Sequence, residues 1–500
     1  MELSFEKTAL EHICCTLRQT LTQEETAEVI VPDSFPDAQR VICATASCVL
    51  RGCECRAGSV TISGAIRASA LYAPEDGSWP RVLESYMPFS VRVDHPAASE
   101  TMQVLSCCQV QQADARLVNS RKLLFRVNIG CSVQGFEKQT LTLCALKEQP
   151  EALRVKTESY PLQLPLMTAE KPFAMTEEIE LGAIEPEPEQ IVCYETIPEV
   201  TDRKIVGARA VFKGFIHFRA LYLTSEHAFA QIERRLPFSQ YCELETDADE
   251  DSLAVRLCVT AAELEAAEGE KRLLLSLGLT AQCLVSGVRM AELIADAYAV
   301  GAALEAEWSQ PELCCILDVQ QQTEQLRQQL PLTDAEEIIS YTITTGTPRL
   351  TREEASATAA VPVYIGVLYR STAGEIVCAH QSAEASCSAA LAQQVQCSVS
   401  AALTDAAVML VSGTADVRVT VQFTLEFTAE QTLHMLCGGT LTPMETDDDT
   451  RPAVILRVCP AGTALWELAK QYASTTDAIA GANNLSGDTV EEEKLLLIPM

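Results

Sequence analysis

The chain is 500 residues long and 48% apolar, more than one hydrophobic core normally serves, which points to several folded domains rather than a disordered chain. Thirty-seven basic against sixty-nine acidic residues leave a formal charge of −32. Such a field repels nucleic-acid phosphates and anionic lipid, so binding to either is not expected, and solubility or a basic protein partner is the better use of it.

Twenty-one cysteines are scattered along the chain, with adjacent pairs at Cys14-Cys15, Cys107-Cys108 and Cys314-Cys315 and no Cys-x-x-Cys. Neighbours in a strand point to opposite faces, so these pairs suit a metal poorly. Buried free thiols in a reducing cytosol are expected, with no metal or cofactor. Met1-Glu2-Leu3-Ser4-Phe5-Glu6 lacks the basic and apolar regions of a secretory leader. No window approaches the roughly 20 uninterrupted apolar residues of a helical span, so no membrane span is expected and the location is cytoplasmic.

Residues 1–21 come first. Leu3, Leu10, Ile13, Cys14, Leu17 and Leu21 predict a short amphipathic helix, packed on the first domain or offered to a partner. Val31-Pro32-Asp33-Ser34-Phe35-Pro36-Asp37 follows. Proline limits φ and aspartate accepts backbone N–H bonds, so Pro32, Asp33, Pro36 and Asp37 predict a rigid turn that can double as a docking edge.

The chain then repeats itself. Leu123, Phe125, Val127, Ile129, Cys131 and Val133 alternate with the residues between them. So do Leu273, Leu275, Leu277, Leu279, Ala281 and Cys283, and again Val417, Val419, Val421, Phe423, Leu425 and Phe427. Alternation of this length predicts strands with one face in a core. A second marker precedes each: Gly64 to Tyr72, Gly214 to Tyr222 and, more loosely, Val361 to Tyr369. The three tyrosines stand 150 and 147 residues apart. Pro88-Phe89 and Pro237-Phe238 follow the first two and have no third counterpart. Turn signals at Pro74-Glu75-Asp76-Gly77, Glu268-Gly269-Glu270 and Ala373-Gly374-Glu375 separate the strands. The predicted class is mainly β, with three tandem diverged antiparallel sandwiches or open barrels at 22–150, 168–308 and 331–442. Boundaries are expected near Pro150 to Pro172 and Trp308 to Pro331.

Residues 443–452 form an acidic, proline-bracketed stretch expected to leave the terminal domain mobile. Residues 453–500 predict a small α+β domain of strand, helix, helix, strand. Thr463 and Thr475 or Thr476 stand where side chains cap the two helix starts. The six histidines show no His-x-x-x-His, and the chain has no Gly-x-Ser-x-Gly, phosphate loop or dinucleotide fingerprint. No catalytic residue is assigned, and the chain is read as a non-enzyme.

Gly462, Leu465-Trp466, Leu468-Ala469, Tyr472, Ile479, Asn483-Asn484-Leu485 and Leu497-Ile498-Pro499 resemble a LysM domain, a module associated with N-acetylglucosamine polymers such as peptidoglycan. The loop that typically reads Gly-Asp-Thr-Leu in that family reads Gly462-Thr463-Ala464-Leu465 here. Three repeats ahead of such a module resemble the spore-coat morphogenetic proteins of endospore-forming Firmicutes, of the clostridial SipL type built from SPOCS domains. The 31–37 turn and the Gly64 to Tyr72 strand carry that resemblance most strongly. What it implies is a mother-cell scaffold at the forespore surface, among other coat proteins, that docks partly through its LysM-like region onto the coat ATPase. Gly462, Thr463, Ala464, Leu465, Trp466, Asn483, Asn484 and Leu485 are then the candidate docking surface. The alternative is a peptidoglycan-binding anchor that uses the same residues.

Overall fold

Alternating apolar and polar residues give this chain twenty-three strands and only two short helices among its described residues. The computed structural model describes residues 1–246, 248, 251–266, 271–444 and 453–500. The first unit contains β1 (Phe5–Ile30), β2 (Ala38–Arg56), β3 (Ser59–Pro74), β4 (Arg81–Asp94), β5 (Gln103–Asn119) and β6 (Lys122–Leu146). They form two antiparallel sheets, ordered β2-β3-β4 and β1-β6-β5. The second contains β7 (Leu153–Glu180), β8 (Pro188–Ile205), β9 (Arg209–Thr224), β10 (Phe229–Glu243), β11 (Ser252–Ala266) and β12 (Arg272–Ala299). Its sheets run β8-β9-β10 and β7-β12-β11, the same order.

After β13 (Ala302–Ser309), the third unit contains β14 (Glu312–Pro331), β15 (Ala335–Thr345), β16 (Arg349–Arg352), β17 (Ser356–Ser371), β18 (Ile376–Ala390), β19 (Gln396–Val411) and β20 (Thr414–Thr432). Its sheets place β17 between β15 and β18, and β20 between β14 and β19, with the short β16 also on β17. Then β21 (Met435–Pro443) pairs back with β13. The alternating segments of the sequence are the centre strands β6, β12 and β20, and their inward residues are buried.

Local details recur as well. The Tyr72 hydroxyl donates to Pro36 O at 3.2 Å, and the Tyr222 hydroxyl to Pro186 O at 3.1 Å. Gly64 lies opposite Phe89 and Gly214 opposite Phe238. A Cβ on Gly64 would stand 2.3 Å from the Phe89 ring and 2.4 Å from Val49 O. At the matching place in the third unit the pair is Val361 and Ala385, so side-chain volume has moved from one strand to its neighbour. That exchange accounts for the missing Pro-Phe.

The units share cores rather than hanging on linkers. β2, β8 and β15 each carry a bulge at matching register, between Val41 and Cys43, Ile191 and Cys193, and Ile338 and Ser340. A bulge turns its extra residue out of the alternation. Here Ile42, Val192 and Ile339 join Leu71, Leu221 and Leu368 in one apolar cluster drawn from all three units. Around it, Arg67 lies 4.5 Å over the Tyr194 ring and Arg219 lies 4.3 Å over Tyr341, each crossing a seam between units. A second shared cluster forms where β6, β7, β12 and β14 run past their sheets, with Leu141, Leu162, Leu293 and Leu313 buried together.

Two expectations are corrected. The predicted helix at 1–21 is instead most of β1, paired with β6 from Phe5 to Ile30. A register shift between Cys15 and Leu17 moves the inward side from even to odd positions. Leu10, Cys14, Leu17 and Leu21 therefore fall three and four apart, mimicking a helical stripe. The stretches at 150–172 and 308–331, expected as boundaries, lie largely in β7 and β14, so with β1 in the first unit all three units begin earlier than 22, 168 and 331. Of the 443–452 stretch, residues 445–452 lie outside the described residues, as do Glu268, Gly269 and Glu270.

The terminal segment folds as β22 (Val454–Cys459), α1 (Leu465–Tyr472), α2 (Thr476–Asn483) and β23 (Lys494–Pro499). β22 pairs antiparallel with β23, and Leu465, Leu468, Ala469, Ile479, Leu496 and Ile498 form the small core. The Thr475 side chain caps α2 by accepting from Ala478 N. Thr463 does not cap α1. Its hydroxyl turns back to donate to Pro460 O at 2.7 Å, and Ala464 is the uncapped first position.

Candidate docking surface

The terminal module is seated on the second unit. A bulge in β12 between Ile294 and Asp296 turns Asp296 toward it. The Trp466 indole N–H donates to one Asp296 carboxylate oxygen at 2.7 Å, and the Lys470 ammonium donates to the other at 2.6 Å. Burial alone would push this carboxyl up. The Lys470 and Trp466 bonds outweigh that and hold it below its ordinary value. Tyr298, also on β12, meets the Trp466 ring edge-on at 4.9 Å and donates from its hydroxyl to Ser474 O at 3.1 Å. The module is thus anchored at its first helix, against the expectation of a mobile terminal domain.

This seat divides the candidate residues. Trp466 faces the second unit and Leu465 is buried, so neither is offered to an outside partner. Asn483 is buried and fully used: its amide donates to Ile479 O and Leu497 O, and its oxygen accepts from Leu497 N at 2.7 Å. It pins α2 to β23. Asn484 ends α2 in the left-handed conformation at φ 52°, and Leu485 is half-buried with its N–H bonded to Ala480 O. Gly462 (φ +84°), Thr463 and Ala464 lie along the loop tied to residues 488–490, through Gly462 N to Val490 O and Leu465 N to Asp488 O. Of the eight residues, Gly462 and Asn484 are the exposed ones.

The Pro32 to Asp37 turn is held by Arg121. Its guanidinium donates to Phe35 O at 2.9 Å, Asp37 at 3.0 Å, Val31 O at 2.9 Å and Asp33 at 3.0 Å. Ser120 donates to the other Asp37 oxygen. Pro36 O takes the Tyr72 hydroxyl. These bonds fix the turn to its own unit, while Pro32, Asp33 and Ser34 stay exposed at its tip. In the second unit Lys271 donates to Ala183 O and Glu185 O, and Arg234 grips the Glu185 carboxylate with two bonds.

A surface that the candidate residues did not include stands on the outer face of β22 and β23. Val454, Leu456 and Val458 point outward on one strand, and Leu495 and Leu497 on the other. Leu456 lies opposite Leu497, and Val458 opposite Leu495. They are 42–61% exposed and form a continuous apolar strip. Exposed Glu491, Glu492 and Glu493 stand at its end, just before β23. The signal in the sequence is that Leu495 to Ile498 is apolar on both faces, more than a single small core requires.

Fold and surface together define a mainly antiparallel β protein of many small sheets, ending in a module with an apolar outer strip. Residues 187–268 match the protein family described as SipL, SPOCS domain. The match covers β8, β9, β10 and β11 of the second unit, whereas the turn and strand that carried the resemblance most strongly lie in the first. A SPOCS domain here suggests a sporulation-related coat protein. No curated protein and no solved structure matches the chain. Among the described residues no helix is long and apolar enough to cross a membrane.

Proposed function

We propose that the chain is a non-enzymatic spore-coat assembly scaffold of the SipL type. It consists of three diverged SPOCS-like units and a LysM-like module that docks onto the coat morphogenetic ATPase at the forespore surface, in the mother-cell cytoplasm. Support for three copies comes from the shared sheet order and the matching bulges, with the Tyr72 and Tyr222 hydroxyl bonds linking the first two. The family match in the second unit supports the coat role.

The observation that carries docking is the apolar strip on β22 and β23, edged by Glu491 to Glu493 and set on a chain of charge −32. Such a strip fits an apolar partner segment with a basic rim. Deleting residues 453–500 is expected to abolish capture of the purified ATPase; undiminished capture contradicts the reading. The peptidoglycan-anchor alternative needs free polar groups and an open aromatic face beside the Gly462 loop. Asn483 and Trp466 are engaged internally, so the full chain is expected to stay in the supernatant when insoluble peptidoglycan is sedimented.

A further inference from the structure

All twenty-one cysteines are free thiols, and two pairs of them meet across seams between units. Cys43 of β2 and Cys378 of β18 meet in the apolar cluster that the units share, across the seam between the first unit and the third. Cys107 of β5 and Cys258 of β11 pack together in the core of the first unit, across the seam between the first and the second. The Cys258 thiol reaches Ser106 O at 3.3 Å and packs in the core of the first unit, not that of its own. We propose that Cys43 with Cys378, and Cys107 with Cys258, are oxidative cross-linking sites at which a small hydroperoxide forms disulfides that lock the first unit to the other two.

Access favours the first pair. Cys43 and Cys378 line a cavity of about 630 Å³ to which all three units contribute, wide enough for a small peroxide. Cys193 and His380 line it as well. No three of these side chains converge as a metal-binding group among the described residues. His380 stands two residues after Cys378 on the same face of β18 and lines the same cavity. The neighbouring Cys43 thiol, and then His380, overcome burial and bring the Cys378 thiol down to about 6. In the second pair the neighbouring Cys258 thiol, aided by Arg256, brings Cys107 down to about 6 against burial. Each pair therefore holds one acidic thiol that reacts first and one resolving partner.

The chemistry closes on these groups. The Cys378 thiolate attacks one peroxide oxygen, the O–O bond breaks, and the departing alkoxide or hydroxide leaves with the proton Cys378 has given up. Cys378 is then a sulfenic acid. The Cys43 sulfur attacks it, the S–O bond breaks, and hydroxide leaves with the Cys43 proton as water. Two thiols and one hydroperoxide give one disulfide, one alcohol or water, and one further water. The seam between the first and third units has no direct chain connection, since the second lies between them in sequence. A Cys43 to Cys378 bond would close that ring covalently.

The test uses the reduced full chain and hydrogen peroxide, followed by digestion and peptide mapping without reductant. Linked peptides joining Cys43 to Cys378 and Cys107 to Cys258 are expected, with a rise in Tm that dithiothreitol reverses. The His380→Gln variant is expected to slow the first link roughly tenfold while leaving the second at its original rate. The proposal is overturned if the four thiols stay reduced, go to sulfinic acids, or pair elsewhere. One such outcome is exclusive linkage of Cys108 to Cys131, whose sulfurs lie 2.8 Å apart within a single sheet.

Discussion

Asp296 and Trp466 are 170 residues apart in sequence, yet the indole N–H reaches the carboxylate at 2.7 Å. Because Lys470 takes the other oxygen, one side chain of the second unit organises the seat of the terminal module. Asp296→Ala leaves an indole donor and an ammonium without their partner. It is expected to loosen the seat by about 1–3 kcal/mol. Trp466 emission should shift to the red in a Trp79→Phe, Trp308→Phe background.

The same contact sets a pH dependence. The folded carboxyl is depressed below its ordinary value of 3.8, because the Lys470 and Trp466 bonds outweigh burial. Its contribution is therefore present above that value and is lost as pH falls through the lower folded one. Trp466 emission is expected to hold steady from about pH 7 to about pH 5 and to change only below about pH 4. A transition centred near pH 6 contradicts this assignment.

Arg121 spans the 31–37 turn with four bonds from one planar fork. Arg121→Ala is expected to cost about 2–3 kcal/mol in urea unfolding, less than four buried bonds would, because the side chain is 32% exposed. Arg121→Lys is expected to recover less than half of the loss, since an ammonium cannot reproduce the fork. Equal stability of Lys and Arg variants would contradict the geometry.

Gly64→Ala is expected to destabilise the first unit by about 2 kcal/mol or more, since the new methyl meets both the Phe89 ring and Val49 O. Adding Phe89→Ala should recover only the part due to the ring, because Val49 O remains. A double-mutant cycle in urea measures the split.

The β character and the three long core strands were legible because β6, β12 and β20 alternate without interruption, so period two survives in the sequence. β1 was not, because a single bulge residue near Thr16 breaks its phase and leaves a helix-like stripe. The order of the terminal module was legible from its short apolar runs. Its seat was not, since Asp296 is one acidic residue among sixty-nine and only the bulge beside it aims it at Trp466. Trp466 and Asn483 read equally well as binding or structural residues, and partners distant in the chain decided between them. The seam thiols were hidden for the same reason, since Cys43 and Cys378 come together only through folding.

The outer face of β22 and β23 is the surface proposed to capture the coat ATPase. Leu456→Glu with Leu497→Glu alters two exposed positions that lie opposite each other and leaves the module core intact, so Tm should change little. Binding of this double variant of the full chain to the purified ATPase, measured beside the original chain, is the most direct test. A loss of affinity of at least tenfold at unchanged Tm is expected for a central apolar contact. Full affinity in the double variant would contradict the account.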